Sequence, residues 1–112
     1  MLGLTGTLNY YLFNGSIDMR KGVYGLSDVV RHEMKQNPNN PQNVYIFMSK
    51  NRRVIKILHY ERGFYVLYEK RPLMGKFKQP VYDDTTRSYQ INWNDMVYFC
   101  LLYTSDAADE AR

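Results

Sequence analysis

Three short runs, Val44–Met48, Val54–Tyr60 and Phe64–Tyr68, are rich in β-branched and aromatic residues, and the links between them are only a few residues long. A parallel pair needs a crossover of about a dozen residues, so these runs predict a three-stranded antiparallel meander. In the middle run Ile55 and Ile57 face one way while Lys56 and Leu58 face the other. That alternation predicts one buried face and one partly solvated face.

Flanking segments supply the rest of a small domain. Tyr10 to Phe13 is a short apolar run that stops at Asn14-Gly15, a turn signal, and predicts a first strand. From Gly22 to Lys35, residues Val23, Leu26, Val29, Val30 and Met34 recur at helical spacing, with Asp18 as a candidate cap. The loop QNPNNPQ, Gln36 to Gln42, ends that helix. Pro72, Gly75 and Pro80 interrupt the next stretch, and Asp83 to Thr86 predicts a turn. Ser88 to Asn92 predicts a last strand, and Asn94 caps a short helix from Asp95 to Phe99. At 112 residues and 45% hydrophobic content, the chain has room for one core. The expected fold is α+β: a mainly antiparallel sheet, the meander plus flanking strands, with one packed helix and a truncated C-terminal helix.

Positive charge is concentrated in the meander and just beyond it. Between Lys50 and Lys78 there are nine Lys and Arg residues against Glu61 and Glu69, a local excess of seven in a chain whose net charge is +4. A localised field of this kind points to a polyanion, most often nucleic acid, and eleven tyrosines add faces on which bases could stack. Arg52 and Arg53 sit in the first turn of the meander and Lys70-Arg71 follow its last strand. If the two pairs share an edge they form one phosphate-binding ridge and Arg62 lies apart; Lys56 is a further candidate for phosphate contact. Arg20 and Lys21, near the helix start, form a second anion-facing pair.

Patterns for chemistry are sparse. Asp18, Asp28, Glu33, Glu61, Glu69, Asp83, Asp84 and Asp95 match no metal-ligand spacing, and Cys100 has neither a disulfide partner nor a zinc-type companion set. Neither metal nor cofactor is expected, nor a small-molecule ligand. His59, Glu61 and Arg62 could supply an acid, a base and a phosphate clamp for RNA cleavage, which makes a toxin-type ribonuclease the alternative enzyme reading. With no run near 20 apolar residues, the expectation is a soluble protein without a membrane partner.

The tail differs in kind. Cys100 to Glu110, CLLYTSDAADE, resembles the translation of an adapter used in transposase-based sequencing libraries. The expectation is therefore a single domain over 1–99, C-terminally truncated, with 100–112 an adapter-derived artefact to be left out of fold reasoning.

Two groups of residues carry a family likeness. Asp18-Met19-Arg20-Lys21-Gly22 with Gly25-Leu26, and then Asn51-Arg52-Arg53, Ile55-Lys56-Ile57-Leu58, Gly63-Phe64 and Leu67-Tyr68-Glu69-Lys70-Arg71, resemble the TnpB accessory proteins of the IS66 family of bacterial insertion sequences. The likeness runs from about Leu8 to Phe99. It departs where Tyr60 follows His59, a place where that family commonly has Trp-Asp, and where a Leu-rich helix gives way to the adapter-like tail. The resemblance implies a non-catalytic protein that assists transposition beside a separate transposase. Its expected partners are the element's DNA ends and that transposase, and its expected location is the bacterial cytoplasm at the nucleoid. A third possibility is a purely protein-binding module that uses a sheet edge or exposed tyrosines.

Overall fold

The computed structural model describes residues 3–78, 88–98 and 104–105. The elements run β1 (Asn9–Ser16), α1 (Val23–His32), β2 (Asn43–Met48), β3 (Ile55–Glu61), β4 (Phe64–Lys70), β5 (Lys76–Phe77), β6 (Ser88–Ile91), α2 (Trp93–Met96) and β7 (Thr104–Ser105). Five strands form one sheet in the order β4-β3-β2-β1-β6, and β5 pairs with β7 in a separate two-stranded ladder. The fold is α+β. The meander is present as β2-β3-β4, with both of its joints antiparallel.

One joint in the sheet is parallel. β1 lies beside β2 with Asn9 opposite Asn43 and Leu12 opposite Ile46, and α1 makes the crossover that this direction requires. Asn14-Gly15 therefore does not turn the chain. It lies inside β1, where the register shifts between Leu12 and Ser16, so the Asn-Gly signal marks an irregularity in the strand.

Both faces of β2 and of most of β3 are covered, which corrects the expectation of a partly solvated face for the middle run, while β4 at the sheet edge stays half-exposed. On one side Tyr10, Leu12, Val44, Ile46, Met48, Ile55 and Ile57 pack with Leu4, Phe77, Ile91 and Met96. On the other, Leu26, Val29, Val30 and Met34 from α1 and its exit pack on Phe13, Tyr45, Phe47 and Leu58. All six residues of β2 are buried, as are the first five of β3. A central strand covered on both sides reads as a continuous apolar run, and Val-Tyr-Ile-Phe-Met after Asn43 is one. Each fully buried large apolar side chain here contributes about 1.5–3 kcal/mol relative to exposure.

The helix boundaries also have local causes. Gly22 is the N-cap of α1 and makes no side-chain cap bond; Asp18 instead accepts hydrogen bonds from the backbone and side chain of Arg20. At the other end Lys35 adopts a left-handed conformation (φ 59), and the Gln36 N–H donates to the Val30 carbonyl at 3.0 Å. The short helix α2 is capped by Asn92, two residues before the expected Asn94, because the Asn92 side chain accepts from the Asp95 N–H at 2.8 Å. The predicted turn at Asp83 to Thr86 and most of the tail lie outside the described residues.

Candidate functional site

Strand direction decides which charges meet. β3 and β4 pair with Ile55 opposite Lys70, so the β2–β3 turn carrying Arg52 and Arg53 and the exit of β4 carrying Lys70 and Arg71 lie at the same end of the sheet. β1 runs parallel to β2, with Ser16 opposite Met48, and so delivers the β1–α1 connection with Arg20 and Lys21 to that end too. All three basic pairs picked out from the sequence are brought to one end. The helix N-terminus arrives there as well, with no acidic residue in its first turn to offset its partial positive charge.

These cations are held in different ways. Arg53 is exposed, and its Nη1 donates to the Gly75 carbonyl at 3.5 Å. Arg52 sits in the left-handed region (φ 59) and is half-buried. Its Nη1 donates to the Phe77 carbonyl at 3.1 Å, and its own carbonyl accepts from the Phe77 N–H at 2.8 Å. Arg52 thus clasps β5 to the turn. Lys76 and Lys78 join the basic end by the same attachment, and Lys78 lies 5.6 Å from the centre of the Tyr98 ring.

Two carboxylates sit among the cations. The Arg20 guanidinium bonds Asp18 through Nη2 at 2.8 Å and holds that carboxyl well below the usual range. Arg71 Nε donates to Glu69 at 2.7 Å and lowers the Glu69 carboxyl in the same way. Both acids therefore stay ionised at neutral pH, and Arg20 and Arg71 contribute less net field than Arg53.

Lys56 does not belong to the exposed ridge. It is 7% exposed, and its Nζ donates to the Met19 carbonyl at 2.7 Å and the Lys21 carbonyl at 2.9 Å, with Glu69 at 3.9 Å. Its register places it on the helix-bearing face beside Leu58. The aliphatic stem lies in the core while the ammonium ties down the chain entering α1. A single Lys within Ile-Lys-Ile-Leu was the available signal, because a charge in an otherwise buried run needs internal partners.

The His59 group occupies the opposite end. His59 is 5% exposed, with Nδ1 3.1 Å from Glu61 Oε1 and Nε2 2.9 Å from the Pro41 carbonyl oxygen. Arg62 is exposed in the two-residue β3–β4 turn, where Arg62 and Gly63 both have positive φ, 48 and 89. The histidine ring is thus enclosed and engaged at both nitrogens. This geometry ties a strand end to the 36–42 loop and presents no open acid–base pair. Among the described residues no group of three or more His, Cys, Asp or Glu is placed to hold a metal ion, and no helix is long and apolar enough to cross a membrane.

Comparison with known proteins agrees with the likeness carried by the motifs. No curated protein and no solved structure matches the chain. A family model described as IS66 Orf2 like protein matches residues 8–106, a span that contains the whole sheet, both helices and every cation of the basic end. The chain therefore belongs to the IS66 Orf2-like family, whose members have an accessory role in insertion-sequence transposition.

Proposed function

We propose that this protein is a non-catalytic accessory factor that grips the DNA of its element through the basic end of the sheet, leaving strand breakage to the transposase. The observation that carries this reading is the gathering of Arg20, Lys21, Arg52, Arg53, Lys70 and Arg71 at one end by the β1–β2 and β3–β4 pairings. Arg53, Lys70 and Lys21 supply charge to phosphates, Arg52 shapes the surface, and Lys56 supports it from beneath. Such a protein works at the nucleoid, in the cytoplasm.

The test is the salt dependence of DNA binding by the full chain. An Arg53→Gln/Lys70→Gln/Lys21→Gln variant is expected to fold as the parent does and to lose about one unit of salt slope for each phosphate contact removed. A folded triple variant with an unchanged slope would overturn the reading.

A second reading, contact with the transposase, draws on Phe64 at the opposite end, 71% exposed, and on Tyr24 of α1, 76% exposed. Co-purification with the transposase after nuclease treatment, without DNA retention by the isolated protein, favours that reading over the first.

The C-terminal limit of the domain is a separate proposal. Adapter-like residues put it at Phe99, whereas the family match continues to residue 106 and Thr104–Ser105 pair with β5. Sequencing the source locus decides between them, and an in-frame genomic TSDAADE makes the tail native.

A further inference from the structure

Between β4 and β5 the chain leaves the sheet as Arg71-Pro72-Leu73-Met74-Gly75. Leu73 is 100% exposed and Met74 61% exposed, side by side at the tip. An isolated exposed leucine is ordinary, but this pair is presented on a fixed base. On one side Lys70 is in register with Ile55 at the end of the β3–β4 ladder. On the other, Phe77 is buried and bonded to Arg52 through both its N–H and its carbonyl. Arg53 holds the Gly75 carbonyl from below. Pro72 restricts the rising limb, and Gly75, buried with φ 77, makes the left-handed return that a side chain would strain.

Charge identifies the partner. The tip is flanked by Lys70 and Arg71 on one limb, where Glu69 pairs with Arg71 at 2.7 Å, and by Lys76 on the other, with Arg53 bonded to Gly75, so that cations outnumber acids around it. Protein interfaces deplete charge around their apolar centres, whereas an apolar wedge ringed by Lys and Arg suits a kinked duplex, in which the wedge enters a base step and the cations take the flanking phosphates. We infer that Pro72-Leu73-Met74 is a wedge that enters duplex DNA from the minor groove between two base pairs and bends it. The inference rests on the DNA-binding reading of the basic end and adds the form of the substrate: double-stranded and deformable at the point of entry.

The experiment uses the full chain and a donor/acceptor-labelled duplex of about 40 base pairs containing TA and CA/TG steps, which kink most easily. Energy transfer reports the end-to-end distance, and titration with salt reports phosphate contact. The parent protein is expected to shorten the distance by a bend of roughly 20–90°. Leu73→Ser/Met74→Ser is expected to bind about tenfold more weakly with the same salt slope and no bend, because the phosphate contacts persist without the wedge. Leu73→Met, which keeps an apolar tip, is expected to retain the bend.

Binding by the parent without bending, or equal bending by the double Ser variant, overturns the wedge and leaves the phosphate ridge standing. No binding of the duplex at any salt concentration overturns both. Capture by phosphatidylserine vesicles that is lost in the double Ser variant, with no DNA bending by the parent, overturns the wedge in favour of a membrane surface.

Discussion

The two ends of the sheet use polar residues in opposite ways. At the His59 end the groups satisfy one another: His59 lies between Glu61 and the Pro41 carbonyl, Tyr65 donates to Asn39, and Asn43 donates to the Tyr45 hydroxyl at 3.0 Å. At the Arg53 end cations outnumber acids, and Asp18 and Glu69 are the only carboxylates among the described residues there. A self-satisfied cluster stabilises the fold, while one whose described cations outnumber its described acids presents a net positive field. Conspicuous side chains are therefore poor guides to function until their partners are known.

Buried Lys56 gives the sharpest test of this contrast, since it sits beneath the basic end yet belongs with the groups bonded inside the fold. Lys56→Met is expected to cost about 2–4 kcal/mol of unfolding free energy in urea, because the Met19 and Lys21 carbonyls lose charged donors. Near-parental stability with a large loss of DNA affinity would move Lys56 into the interface. Next in size, His59→Ala is expected to cost about 1–3 kcal/mol and to leave the salt slope of DNA binding unchanged. RNA cleavage by the parent that is abolished in this variant would reverse the assignment of that end.

Smaller effects sharpen the comparison further. Glu69→Gln is expected to tighten DNA binding by less than about fivefold, the size of an exposed ion-pair interaction, by removing a competitor for Arg71. Acidification supplies a control. Hydrogen bonds from Arg20 and Arg71 depress Asp18 and Glu69, so their contribution to folding is fully present above the ordinary carboxylate value of about 4 and is lost as pH falls through the lower folded values. Between pH 7 and 5 neither changes charge, and DNA affinity measured across that window should show no step from them. The smallest effect is expected of Arg62→Asn. It removes one positive charge from the far end, leaves the salt slope unchanged, and raises stability by about 0.5 kcal/mol, since Asn tolerates the left-handed turn better than Arg.

Much of this architecture was legible in the residues. Short links around β3 left antiparallel pairing as the available solution, and Val23, Leu26, Val29 and Val30 marked the helix face that the core buries. The parallel pairing of β1 with β2 was not legible, because no local feature of Tyr10 to Phe13 records which neighbour it joins or in which direction. Asn14-Gly15 misled because the same dipeptide suits a hairpin and a strand irregularity, and long-range pairing chose the second. The candidate site was half legible. Charge could be counted, but its convergence depended on register, and Lys56 was misplaced because the solvation of its face depended on where α1 docked.

The Lys56 clasp has a consequence for motion. Because its ammonium grips carbonyls at Met19 and Lys21, the connection into α1 cannot lift without stranding a charge from the centre of the sheet. Backbone amides near Met19 to Gly22 should therefore exchange their hydrogens in step with β3, at the pace of the core, although they belong to a surface loop. The cations of the basic end are carried on a platform that opens only when the domain does.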